Sequence, residues 1–91
     1  MLFVTRYSVT GDRSKERVAE LMAVFGERGE IPGTVAHYTA LDGRGGFVII
    51  ETDAPETLYD ATLAYQPWLE METVPIMKVE DAVPAIIASL E

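Results

Sequence analysis

An α+β domain is predicted for this 91-residue chain, in the order strand, helix, strand, strand, helix, strand and a short closing helix. Three observations predict it. Thr34–Asp53, TVAHYTALDGRGGFVIIETD, reads as two alternating strands around one glycine-rich turn. Val18, Leu21, Met22 and Phe25, ahead of that hairpin, fall at i, i+3, i+4 and i+7, which is one apolar face of a helix. Leu58, Ala61, Thr62 and Tyr65, behind it, form a second such stripe, and both helices lie next to strand-like segments.

Leu2–Val9 is rich in β-branched and aromatic residues and reads as the first strand. Gly11 ends it. Asp12 is a good helix N-cap, and the first helix is expected over about residues 13–28. Gly29–Gly33, with Pro32, is a loop. In the hairpin, a three-residue loop with Asp42 opposite Gly46 makes Leu41 face Phe47, Thr39 face Ile49 and His37 face Glu51. A two-residue loop shifts the register and separates His37 from Glu51. In the first register Ala36, Tyr38, Ala40, Val48 and Ile50 form the helix-covered side. Asp53, Pro55 and Glu56 read as the start of the second helix, which Pro67 ends. Glu70–Val79 is the last strand, and Pro75 makes it an edge strand or a bulged one. Glu80 or Asp81 caps a closing helix whose Val83, Ile86, Ile87 and Leu90 need a cover, from their own subunit or from a partner. This is a ferredoxin-like arrangement, an antiparallel sheet with both helices on one face. Val35, Leu41, Phe47 and Ile49 leave the other face too apolar for water, so two sheets are expected to pair face to face as a homodimer.

Size and composition narrow the function classes. One domain accounts for residues 1–91, and a chain this short buries only roughly 60–65% of its unfolded surface, so self-association is a reasonable source of stability. The formal charge of −8 is carried wholly by residues 46–91, which hold nine acidic residues and one base, Lys78. An acidic surface repels phosphates, so neither nucleic acid nor an anionic membrane is an expected partner. With no cysteine and one histidine there is no disulfide or thiolate site, and no metal or other cofactor is expected. No targeting or membrane-spanning run stands out, and the expected compartment is the cytoplasm.

The candidate catalytic residues are His37, Glu51 and Arg6. A carboxylate beside an imidazole fixes its tautomer and suits acid–base work near neutral pH. If Phe3, Thr5, Tyr7 and Val9 face the helices, Arg6 points to the other side, where a guanidinium could hold an anionic oxygen. The same three residues also suit a structural ion network at a sheet–sheet interface. Trp68, together with Thr39 and Ile49 on the open sheet side, are the candidate ligand-binding residues for a flat, ring-bearing molecule. The turn Gly43-Arg44-Gly45-Gly46 lacks the pattern of a phosphate loop and reads as a hairpin turn.

MLFVTRYSV, LDGRGGFVIIETDAPETLYD and QPWLEMETVPIM together resemble a family of small bacterial and phage proteins of unknown function in the dimeric α/β-barrel, ferredoxin-like superfamily. The resemblance covers nearly the whole chain and implies a homodimer whose sheets curl around a shared cavity. It brings no reaction or catalytic residues with it. Relatives often carry a Trp-His pair where this chain has Tyr38 and Thr39; here the histidine stands two positions earlier. The wider superfamily includes cofactor-independent monooxygenases, polyketide cyclases, lactone isomerases and haem-degrading enzymes. Two functions are therefore expected to compete: a binding or accessory module with a closed cavity, and a cofactor-independent enzyme acting on a small ring-bearing or enolisable molecule.

Overall fold

The computed structural model describes residues 1–91. Its elements are β1 (Leu2–Val9), α1 (Lys15–Arg28), β2 (Thr34–Thr39), β3 (Gly45–Glu51), α2 (Glu56–Tyr65), β4 (Leu69–Ile76) and α3 (Val79–Ala88). The four strands form one antiparallel sheet in the order β2-β3-β1-β4. That is the ferredoxin-like topology, with β1 and β3 at the centre and Pro75 on the edge strand β4, where its missing N–H costs no ladder bond on the free side. No helix is long and apolar enough to cross a membrane.

Strand alternation gives the sheet two different faces. On the helix side, Val48 and Ile50 of β3 pack with Leu58 of α2, and Phe3, Tyr7 and Ile31 close around them. Thr5 is the one fully buried polar side chain, and its hydroxyl pairs with that of Thr73 on β4 at 2.8 Å. Leu58, Ala61 and Tyr65 are the buried stripe of α2, as their spacing predicts. On the other side Val4, Arg6, Phe47, Ile49, Glu72 and Val74 are neighbours across β3, β1 and β4.

Several local expectations are corrected. Ser14, not Asp12, caps α1: its hydroxyl accepts from the Arg17 N–H, while the Asp12 carboxylate accepts from the Ser14 N–H one turn earlier. Asp53 does not cap α2, which starts after Pro55 without a side-chain cap. β4 begins at Leu69 and stops at Ile76, and α3 starts directly after Lys78 with no capping carboxylate. Neither Glu80 nor Asp81 caps it; both lie in its first turn, where their charge suits the helix dipole.

The largest correction is the hairpin register. Tyr38 faces Phe47 and His37 faces Val48, with a bulge between Thr34 and Ala36. The connection is a five-residue loop, Ala40–Arg44, in which the Ala40 N–H donates to the Gly45 carbonyl and Gly43 takes φ +74°. Gly45 and Gly46 therefore belong to β3 and not to the turn. His37 and Thr39 consequently lie on the helix side, and Ala36 and Tyr38 on the open side, the reverse of the sequence expectation.

α1 and α3 are the least buried layers. No side chain of α1 is fully buried; Leu21, Val24 and Phe25 are half-buried, whereas Val18 and Met22 remain exposed. α3 runs out from the body with Val83, Ile86, Ile87 and Leu90 exposed. The radius of gyration is 15.8 Å, against about 12 Å for a compact chain of this length, and the long axis is 56 Å.

Candidate functional site

Between α1 and the helix-facing side of the sheet lies a cavity of about 530 Å³. Leu21, Met22 and Phe25 of α1 form its roof; Tyr7, Val48 and Met71 of the sheet form much of its floor. That volume is in the range of small-molecule sites, and the lining is predominantly apolar.

Arg17 holds the roof in place at one end. Its guanidinium donates to the Thr10 carbonyl and the Pro67 carbonyl, both at 2.8 Å, and so ties the start of α1 to the exit of β1 and to the turn before β4. Trp68, half-buried beside it, donates its indole N–H to Glu20 on α1 at 3.3 Å and borders the cavity.

At the other end of the cavity three side chains form a continuous chain of hydrogen bonds. Glu30 carboxylate oxygens stand 2.9 and 3.0 Å from His37 Nδ1, and His37 Nε2 stands 2.7 Å from the Tyr7 hydroxyl. A carboxylate offers only acceptors, so the proton of this imidazole sits on Nδ1 and the Tyr7 O–H donates to Nε2. Tyr7 and Phe25 meet the imidazole edge to face, with ring centroids 5.6 and 6.1 Å away. Burial pushes the Tyr7 phenol above its ordinary pKa; the Glu30 charge adds to this and the Thr39 hydroxyl works against it. Tyr7 is thus a neutral phenol at physiological pH.

Two glycines make the arrangement possible. Gly29 ends α1 at φ +71°, a backbone state that side-chain-bearing residues rarely adopt, and its N–H donates to the Phe25 carbonyl; the next residue, Glu30, comes back over β2 to His37. Gly46 lies on the helix side of β3 opposite Tyr7. A Cβ there would stand 2.6 Å from the Tyr7 hydroxyl and against the Tyr38 carbonyl oxygen, so the missing side chain is the space the phenol occupies.

The residues singled out from the sequence divide between the two faces. His37, Thr39 and Trp68 border the cavity. Glu51 does not meet His37: it is at the far end of β3, where it pairs with the N-terminal ammonium of Met1. Arg6 is exposed on the open face, opposite Phe47 on β3 and Glu72 on β4. Ile49 lies on that face too, away from the cavity. Sequence reasoning missed Tyr7 and Glu30 as partners of the histidine. The signal was present in the second glycine of the Gly45-Gly46 pair: a glycine inside a strand marks a close approach, and this one faces a tyrosine.

The comparisons agree with this architecture. A family model described as "Domain of unknown function (DUF3303)" matches residues 1–90. No curated protein matches the chain significantly. Among solved structures, a muconolactone isomerase is similar at TM-score 0.60 and 14% identity, over 86% of this chain and 90% of that one. A putative antibiotic biosynthesis monooxygenase from Chloroflexus aurantiacus J-10-fl matches at TM-score 0.42 and 17% identity, over 85% and 94% of the two chains. SnoaB, a cofactor-independent oxygenase from Streptomyces nogalater, matches at TM-score 0.35 and 22% identity, over 85% and 92%. At 14% identity the likeness to the muconolactone isomerase is one of fold.

Proposed function

The chain belongs to this unknown-function family, DUF3303, and on that premise we propose that it binds a small, largely apolar molecule between α1 and the sheet and moves a proton on it. The observation that carries the reading is the Glu30–His37–Tyr7 chain at the wall of an apolar cavity. A substrate proton taken up at the Tyr7 oxygen passes the phenol's own proton to His37 Nε2, and the imidazolium so formed faces the Glu30 carboxylate. The return of that proton to a different substrate atom completes an isomerisation, with no group beyond the protein required. The fold neighbour with the highest quoted TM-score carries the name of an isomerase, a reaction class served by proton transfer.

The assembly that suits this fold is a homodimer through the open sheet face. Val4, Phe47, Ile49 and Val74 give that face an apolar centre. Arg6 and Glu72 are cross-strand neighbours within it, and a two-fold axis passing beside that pair would set the guanidinium of one copy against the carboxylate of the other. Arg6 and Glu51 then belong to the interface side of the molecule, and His37 to the chemistry. The exposed stripe of α3 is a second apolar surface for the same partner copy.

The test is solvent deuterium exchange into 2-indanone, a small cyclic C–H acid, followed by NMR. Exchange faster than buffer in the wild type and lost in His37→Gln supports the reading. Exchange at the buffer rate, with neither 2-indanone nor its hydrocarbon analogue indane shifting the signals of Leu21, Phe25 or Met71, refutes it.

A further inference from the structure

The Tyr65 hydroxyl is the one buried side-chain polar atom in the protein with no hydrogen-bond partner. Tyr65 closes α2 and is only 7% exposed. A buried hydroxyl normally finds a partner, because leaving it unmet forfeits the bonds it made to water in the unfolded chain. Tyr65 is also one of the residues lining the cavity that carries Tyr7, His37 and Glu30.

We infer that Tyr65 is a ligand-binding residue, whose O–H donates to a carbonyl oxygen of the molecule held in the cavity. The inference rests on the small-molecule reading above and narrows it to a class, carbonyl compounds with an apolar ring-sized body. Three observations join in it. The hydroxyl has a donor to give and nothing in the protein to receive it. Burial raises the phenol above its ordinary pKa, with Glu30 adding to this and Arg28 opposing it, so it stays a neutral donor. Tyr65, Tyr7 and Glu30 all line that one cavity.

The chemistry follows from that juxtaposition. When the carbon next to the carbonyl loses its proton to the Tyr7 oxygen, the electron pair of the broken C–H bond moves to the carbonyl oxygen as an enolate. An O–H donating to that oxygen stabilises the developing charge more than it stabilises the neutral ketone. The hydroxyl is buried, so a ligand reaches it only when the side chains over it yield, and α1, with no fully buried side chain, is a looser layer than α2.

A smaller cavity that Tyr65 also lines, with Arg28, Glu30, Glu56 and Asp60 among others, offers the competing explanation that an ordered water meets the hydroxyl from there. The experiment separates the two. Affinities of 2-indanone and indane are measured for the wild type and for Tyr65→Phe by NMR titration, with melting temperatures alongside. The expected result is a roughly 10-fold weaker 2-indanone complex in the variant, an indane affinity within about 2-fold of wild type, and no fall in melting temperature. If 2-indanone binds the variant as well as the wild type, or if both compounds weaken equally, the inference is overturned while the cavity reading stands. If neither compound binds the wild type, both fall together.

Discussion

The Tyr7 hydroxyl and His37 Nε2 stand 2.7 Å apart across two strands that are not neighbours in the sheet. β3 runs between them, and Gly46 on β3 is what lets the phenol lean across. A residue of β1 and a residue of β2 are thereby brought into contact over the strand that separates them.

Replacement of Gly46 by alanine tests that relationship directly. The added methyl meets the Tyr7 hydroxyl and the Tyr38 carbonyl. The variant is expected to lose about 1–3 kcal/mol, the usual cost of overpacking, and its His37 ring resonances should move as Tyr7 is pushed aside. Denaturant unfolding and NMR check both; unchanged imidazole signals would show that the glycine is not what admits the phenol.

Alkaline pH should weaken the fold through the same phenol. Tyr7 and Tyr65 hold their protons more tightly in the folded chain than at their ordinary value of 10.0. Above that value the unfolded state releases protons that the native state keeps, so unfolding becomes easier as the pH rises. Stability from this source is complete below pH 10 and declines through the folded pKa. Tyr7→Phe should show a shallower alkaline decline than the wild type in parallel denaturation series; identical slopes would count against the raised Tyr7 value.

Arg17 should matter more than its position at a helix start suggests. Arg17→Met removes charge-assisted bonds to the Thr10 and Pro67 carbonyls while keeping much of the apolar stem. A loss of about 1.5–3 kcal/mol is expected, with faster amide hydrogen exchange in α1 than in the sheet. A uniform rise in exchange everywhere would mean that Arg17 supports the whole fold and not the cavity roof.

The open sheet face gives the fourth prediction. Ile49→Asp places a charge at its apolar centre and should weaken self-association at least about 10-fold, read by sedimentation. Leu41→Asp, in the fully exposed hairpin loop, should leave it unchanged. A wild type that sediments as a monomer, or an Ile49→Asp variant that stays dimeric, would reject this face as the interface.

Much of the fold is legible in the sequence. β1 has the limits its composition predicts, the buried stripe of α2 is the one its spacing marks, and Pro75 falls on an edge strand. The site was only half legible. His37 stands out in the sequence as the single histidine, but its hydrogen-bond partners come from β1 and from just beyond the end of α1, and no local pattern pairs position 37 with 7 and 30. Helix caps misled for a related reason: Asp12, Asp53, Glu80 and Asp81 are all chemically fit to cap, and the chain path decided against each.

The sequence by itself determined the order of elements and the apolar stripe of each helix, because periods of 2 and 3.6 residues are local properties of a chain. Only the tertiary structure decided which side of the sheet received His37. Successive strand residues point to opposite faces, so the hairpin register assigns the histidine either to Glu51 and a sheet–sheet interface or to Tyr7, Glu30 and a cavity. That register depends on the conformation of Ala40–Arg44 and on the fit of Tyr7 over Gly46, a contact between segments some forty residues apart.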